Sequence, residues 1–129
     1  RAECLMPRRM SCSMTVPAVR DRSKTVTRRH KDTWKNLKPG DRLVLIEKGM
    51  GLPKGAHQVV IAEVEVTDVR VEPLCKVWDE PNAVDREGLP DMSPNRFSFW
   101  WARSHGYGDL KHAADLLRIE CRRIEWRYL

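Results

Sequence analysis

Lys24-Thr25-Val26-Thr27-Arg28-Arg29, followed after a polar connection by Leu37-Lys38-Pro39-Gly40-Asp41, is the most informative part of the chain. The β-branched and basic residues of the first stretch predict a strand over Lys24 to Arg29. Strand alternation sends Lys24, Val26 and Arg28 one way and Thr25, Thr27 and Arg29 the other. An amine, hydroxyls and two guanidiniums on one short element suit a site for a polyanion or a nucleotide. The same pattern also describes a solvated edge strand, which Lys and Arg protect from pairing with another chain. In the second stretch Pro39 pre-sets φ and Gly40 is free to take positive φ, so a turn is expected.

Around this centre the chain alternates short strands with short helices. A first strand is expected over Met10 to Thr15, then a brief helix with Thr15 as N-cap and Pro17 in its first turn. Leu43 to Ile46 is a continuous apolar run that suits a buried strand. Gly49 to Gly55 is a glycine-rich loop without the GK[ST] ending of a phosphate loop. Val59 to Val71 is a long strand whose alternation slips near Thr67-Asp68, the mark of a bulge. Residues 79 to 88 suit a short helix or turn region, with Pro81 at its first position and Gly88 as its stop. Ser93-Pro94 opens the clearest helix, with Phe97, Trp100 and Trp101 on its apolar face and Gly106 and Gly108 beyond its end. Leu116 to Tyr128 reads as a strand pair or one bent strand: Ile119, Cys121 and Arg123 lie in one phase, and Ile124, Trp126 and Tyr128 in the other. The fold class expected is α+β: a small mixed, mostly antiparallel sheet curled into a β-barrel with short flanking helices.

The 129 residues suffice for one domain with its own core, and 41% hydrophobic with 33% charged residues is a globular composition. Residues 10–129 are expected to form that domain, with 1–9 an N-terminal extension or expression remnant that contributes little. No apolar run reaches the roughly 20 residues of a helical membrane span, and the charged N-terminal stretch does not resemble a secretory signal. A cytoplasmic protein without a membrane partner is the expectation. Lys and Arg number 24 against 18 acids. The basic excess between Arg20 and Lys38, opposed by Asp21 and Asp32, suggests a nucleic-acid partner or a solubilising face. Cys4, Cys12, Cys75 and Cys121 are scattered and the four histidines unclustered, so free thiols are expected and neither a metal site nor a cofactor.

The order of these signals resembles the ASCH domain, a branch of the PUA-like superfamily. The resemblance runs through Ser13-Met14-Thr15, Lys24 to Arg29, Leu37 to Asp41 and the Gly51-Leu52-Pro53-Lys54-Gly55 loop. It continues through Glu87-Gly88-Leu89, the helix start at Ser93 to Phe97, and Arg118-Ile119-Glu120, and thus spans residues 10 to 128. It implies a PUA-like barrel with a cleft for single-stranded RNA or a nucleotide. Some members are similar to amidohydrolases that remove the acetyl group of N4-acetylcytidine, others to ribonucleases. Such domains are common in phage genomes, so a phage-encoded protein is compatible with the resemblance. Carried over to this chain, the amidohydrolase pattern implies Lys24, Thr27 and Glu87 as catalytic residues. The first expectation is an RNA- or nucleotide-binding module without catalysis, with Arg28, Arg29 and Lys31 on phosphates and Trp34 or Trp78 stacking on an unpaired base, and the hydrolase or ribonuclease is the alternative. An interaction surface for an acidic protein is a third reading. Trp100, Trp101 and Trp126 are expected in the core.

Overall fold

The computed structural model describes residues 7–129. Its elements are β1 (Arg8–Ser11), α1 (Val16–Arg20), β2 (Val26–His30), β3 (Arg42–Ile46) and β4 (Val60–Pro73). A 3₁₀ turn (Leu74–Trp78), α2 (Ala83–Arg86), α3 (Pro94–Ser104), a second 3₁₀ turn (Ala113–Leu116) and β5 (Glu120–Tyr128) follow. The five strands form one curled sheet in the order β1-β3-β4-β5-β2. β1 runs parallel to β3 and the other pairs are antiparallel. The fold is thus a small mixed α+β domain with a half-barrel sheet.

The bulge expected near Thr67-Asp68 is present: pairing of β4 with β5 shifts between Val66 and Asp68. The extra residue bends β4 as the sheet curls. Met10, Leu43, Leu45, Val64, Val66, Ile124 and Trp126 pack inside the curl. Leu74, Val77, Phe97, Trp101, Leu116, Ile119 and Cys121 form a second core under the helices. β5 belongs to both, because Cys121 and Ile124 lie on opposite faces. It is one strand, and the two phases of its alternation correspond to its two buried sides.

Several boundaries differ from the sequence reading. β1 begins at Arg8, so residues 8 and 9 are part of the sheet and pair with Leu43 and Val44; residues 1–6 lie outside the described residues. β2 begins at Val26, not Lys24. Pro81 does not open α2, which starts after Asn82 in a left-handed conformation at φ 56°. Thr15 and Ser93 do precede helices, and Ser93 Oγ accepts from the Arg96 amide. Among the described residues, Cys12, Cys75 and Cys121 carry free thiols, no group of three His, Cys, Asp or Glu residues could hold a metal, and no helix is long and apolar enough to cross a membrane.

Candidate active site

A pocket of about 350 Å³ opens between the end of β1, the edge strand β2 and α3. Its volume suits a nucleoside-sized molecule. Lys24, Thr27 and Glu87 all line it, joined by Cys12, Arg29, Leu89, Phe97, Trp100 and His105. They come from well-separated parts of the chain, brought together because β2 is the sheet edge over which the helical layer folds.

The start of β2 at Val26 removes a geometric obstacle. In one continuous strand Lys24 and Thr27 would face opposite sides. Lys24 instead sits before the strand, and its carbonyl accepts from Trp126 Nε1 at 3.1 Å and the Tyr128 hydroxyl at 2.5 Å. Its amine then turns inward, donating to the Val26 carbonyl at 3.0 Å and the Glu87 carbonyl at 2.6 Å. It lies 3.9 Å from Glu87 Oε1. Burial pushes this amine below the ordinary lysine range; Glu87 and Cys12 oppose the shift, while Arg29 and Arg28 reinforce it. Two carbonyls can take two N–H bonds from a neutral amine and leave its lone pair free.

Thr27 and Arg29 share a face of β2. Arg29 Nε donates to Thr27 Oγ1 at 3.1 Å and its Nη2 donates to the Ser11 carbonyl at 2.9 Å. The guanidinium thereby takes one lone pair of the hydroxyl and leaves the O–H free to donate. Among the described residues Arg29 has no carboxylate within ion-pair distance, and Glu87 offsets its charge only from farther away while burial lowers its pKa.

Arg28 also borders the pocket, but its side chain turns to the opposite face of β2. It was expected to neutralise phosphate, but its side chain is fully buried. It donates to Glu87 Oε2 at 2.8 Å and Glu80 Oε1 at 2.8 Å, with Glu72 Oε2 at 3.5 Å. Burial alone would lower its pKa, yet Glu87 and Glu80 more than offset this and raise it. Arg28, Arg123 and Arg70 are direct neighbours across β2, β5 and β4. Like charges so placed repel. Glu80 Oε1 resolves the first contact by accepting from both Arg28 and Arg123, each at 2.8 Å. Glu72 binds Arg70 Nε at 2.7 Å. The result is an ionic seam beneath the site, and it holds the Glu87 carboxylate in place.

Gly88 sets the approach of that carboxylate. Its φ is +89°, and a Cβ there would come within 2.9 Å of Ala18 Cβ and 3.1 Å of Thr15 Cβ. Only glycine lets the segment after Glu87 pass this close to α1.

The remaining expected binding residues do not join the pocket. Trp34 packs beside the inner core with the Arg8 guanidinium 4.2 Å above its ring, so one face is already covered. Lys31 is exposed, and its carbonyl accepts from Arg122 at 2.7 Å. Trp78 packs in the second core and donates to Ser98 Oγ at 3.2 Å. Trp126 is a core residue, as expected. Trp101 is buried too, but it also walls the pocket and donates to the Arg28 carbonyl at 2.8 Å. Trp100 is only half-buried and forms part of the wall. The site residues missed by sequence reasoning, Cys12, Trp100 and His105, carry no local signature; the nearest signal was the helical spacing of Trp100 and Trp101.

No protein-family model matches the chain, and no curated protein matches its sequence. The structure is similar to the crystal structure of a hypothetical protein, PH0355, with a TM-score of 0.59 and 15% sequence identity over 96% of this chain and 100% of that one. At that identity the likeness concerns the fold.

Proposed function

We propose that this chain is an ASCH-type, PUA-like domain whose pocket hydrolyses an amide on a nucleobase or nucleoside. The observation that carries the reading is the convergence of Lys24, Thr27 and Glu87 in one nucleoside-sized pocket. A threonine hydroxyl needs a base to become nucleophilic, and a buried lysine with a lowered pKa is such a base. In this scheme Lys24 takes the Thr27 proton as Oγ attacks the acyl carbon. The Lys24 ammonium is stabilised by the Glu87 carboxylate, through which the proton passes to the leaving amine as the C–N bond breaks. Water, activated by Lys24, then hydrolyses the acyl ester on Thr27 and releases the carboxylic acid. Arg29, beside Thr27 Oγ1, supplies positive charge where negative charge develops.

Binding of RNA or a nucleotide without turnover is a second reading, favoured by the Arg29 guanidinium at the pocket, which has no carboxylate at ion-pair distance among the described residues. The experiment that separates them is incubation with N4-acetylcytidine, with acetate release measured for wild type and Thr27→Val. Release by wild type and not by the variant supports catalysis. Binding of cytidine without acetate release supports the second reading.

A further inference from the structure

The last turn of α3 places one more polar group on the pocket wall. His105 lines the pocket, and its ring lies flat against Trp101, with centroids 3.9 Å apart and planes 14° from parallel. The ring is also tied to its own helix: Nδ1 lies 2.8 Å from the Trp101 carbonyl, which accepts the His105 amide as well at 3.0 Å. A carbonyl can only accept, so Nδ1 carries the proton and Nε2 presents a lone pair. Among the described residues Nε2 has no partner, and it is not among the buried side-chain atoms left without one.

The surrounding groups have complementary roles. Arg29, and Lys24 when protonated, meet a ligand only as donors. Both Glu87 oxygens are already held by Arg28. Leu89, Phe97, Trp100 and Met14 supply apolar wall. A flat ligand bound here meets donors on the β2 side and an acceptor on the α3 side.

We infer that His105 is a substrate-recognition residue, its Nε2 accepting a hydrogen bond from an N–H or O–H of a flat, base-sized ligand. The inference deepens the proposed function and rests on that pocket being the ligand site. Burial, more than the surrounding charges, favours the neutral, accepting form of the ring. Burial pushes its pKa below the ordinary imidazole range; the Trp101 carbonyl opposes this, Arg29 and His30 on β2 reinforce it, and Glu87 after α2 opposes it weakly. Tyr107 lies beyond, stacked between His30 and Trp101 at 6.2 Å from each. Protonation at low pH converts Nε2 from acceptor to donor, so affinity falls as the pH drops through the His105 pKa.

Two isosteric probes separate ligand recognition from a structural role. Asn at 105 can reproduce the Nδ1 bond to Trp101 but has nothing at the Nε2 position, whereas Gln places an amide near Nε2 and loses that bond. All binding is measured in a Thr27→Val background, so no turnover is needed, using cytidine and N4-acetylcytidine as probes. The expected result is a loss of about 5- to 10-fold in affinity for His105→Asn, the scale of one neutral hydrogen bond, and a smaller loss for His105→Gln. Nitrogen NMR of the unliganded protein should show the Nδ1–H tautomer, with the Nε2 resonance shifting when a probe binds. The inference is overturned by an Nε2–H tautomer, by Asn binding as wild type while Gln does not, by affinity that stays constant while NMR shows the His105 ring becoming protonated, or by neither probe binding at millimolar concentration. Failure of acetate release with intact probe binding would instead count against the hydrolase and leave this role of His105 standing.

Discussion

Arg28 and Arg29 are adjacent in sequence and identical in chemistry, yet they lie on opposite faces of β2 and meet opposite surroundings. Arg28 enters a buried seam with Glu72, Glu80 and Glu87. Arg29 faces a pocket where its partners are a hydroxyl and a carbonyl. The seam is electrostatically closed, whereas the pocket retains positive charge, a buried amine and an available hydroxyl. Under the proposed function, one face serves stability and the other serves ligands. Substitutions on the two faces should separate these properties.

The largest expected effect is on the pocket face. Thr27→Val should reduce turnover of the proposed substrate by about 10³-fold or more, because the nucleophilic oxygen is lost while the β-branched shape is kept. Lys24→Met should cost a comparable factor, since base and nucleophile act as a unit. Glu87→Gln should cost on the order of 10²- to 10⁴-fold, the usual scale of acid–base help. Single-turnover kinetics on refolded, monodisperse variants measures all three. If Thr27→Val turns over normally, the division between the faces fails.

On the seam face, Arg28→Ala should lower unfolding free energy by about 3–5 kcal/mol, because it strands buried carboxylates without their cation. Urea denaturation measures this loss. A variant as stable as wild type would show that the seam carries no net structural role. Gly88→Ala lies between the two regions. Its positive φ and the 2.9 Å approach to Ala18 should cost about 1–3 kcal/mol and displace Glu87, so stability and turnover should fall together.

Both faces should gain with rising pH, but through different groups: activity through the Lys24 amine and stability through the Glu80 carboxylate. For the pocket, the neutral Lys24 amine is the active form. kcat/KM should rise with pH through the Lys24 pKa, which burial holds below the ordinary 10.5. Lys24→Met should remove that limb. For the seam, burial would raise the Glu80 pKa, but hydrogen bonding to Arg123 and the charges of Arg28 and Arg123 outweigh it and hold it below the ordinary 4.5. Its contribution to stability is present above the unfolded-state pKa and is lost as the pH falls through the folded value. Glu80→Gln should therefore flatten the acid side of the stability profile. The smallest effect is expected for Lys31→Ala and Trp34→Ala on cytidine binding, within about 2-fold, since neither side chain reaches the pocket. A larger loss, measured by calorimetric titration, would extend the ligand surface beyond the pocket.

Features governed by neighbouring residues were legible in the sequence. The Thr15 and Ser93 helix starts, the Lys38-Pro39-Gly40-Asp41 turn and the slip at Thr67 follow from dihedral preferences and side-chain alternation within a few residues. The same alternation placed Arg28 and Arg29 on opposite faces. It could not say which face was buried, because Glu72, Glu80 and Glu87 lie 44 to 59 residues from Arg28. The start of β1 at Arg8 was illegible for a related reason: its pairing is parallel to β3, a distant strand, and no local turn announces it. His105 gave no signal at all, since a lone histidine near a helix end acquires its role only from the pocket beside it.

By itself, then, the sequence determined the local elements, their phases and the concentration of amine, hydroxyl and guanidinium around β2. The tertiary structure alone decided that Lys24 precedes the strand and turns inward, that Arg28 is enclosed by distant acids, and that α3 closes a pocket over Thr27 and Arg29. The physical reason is range. Backbone preferences and alternation act within a few residues, whereas burial and charge pairing depend on which distant segments meet when the two cores form.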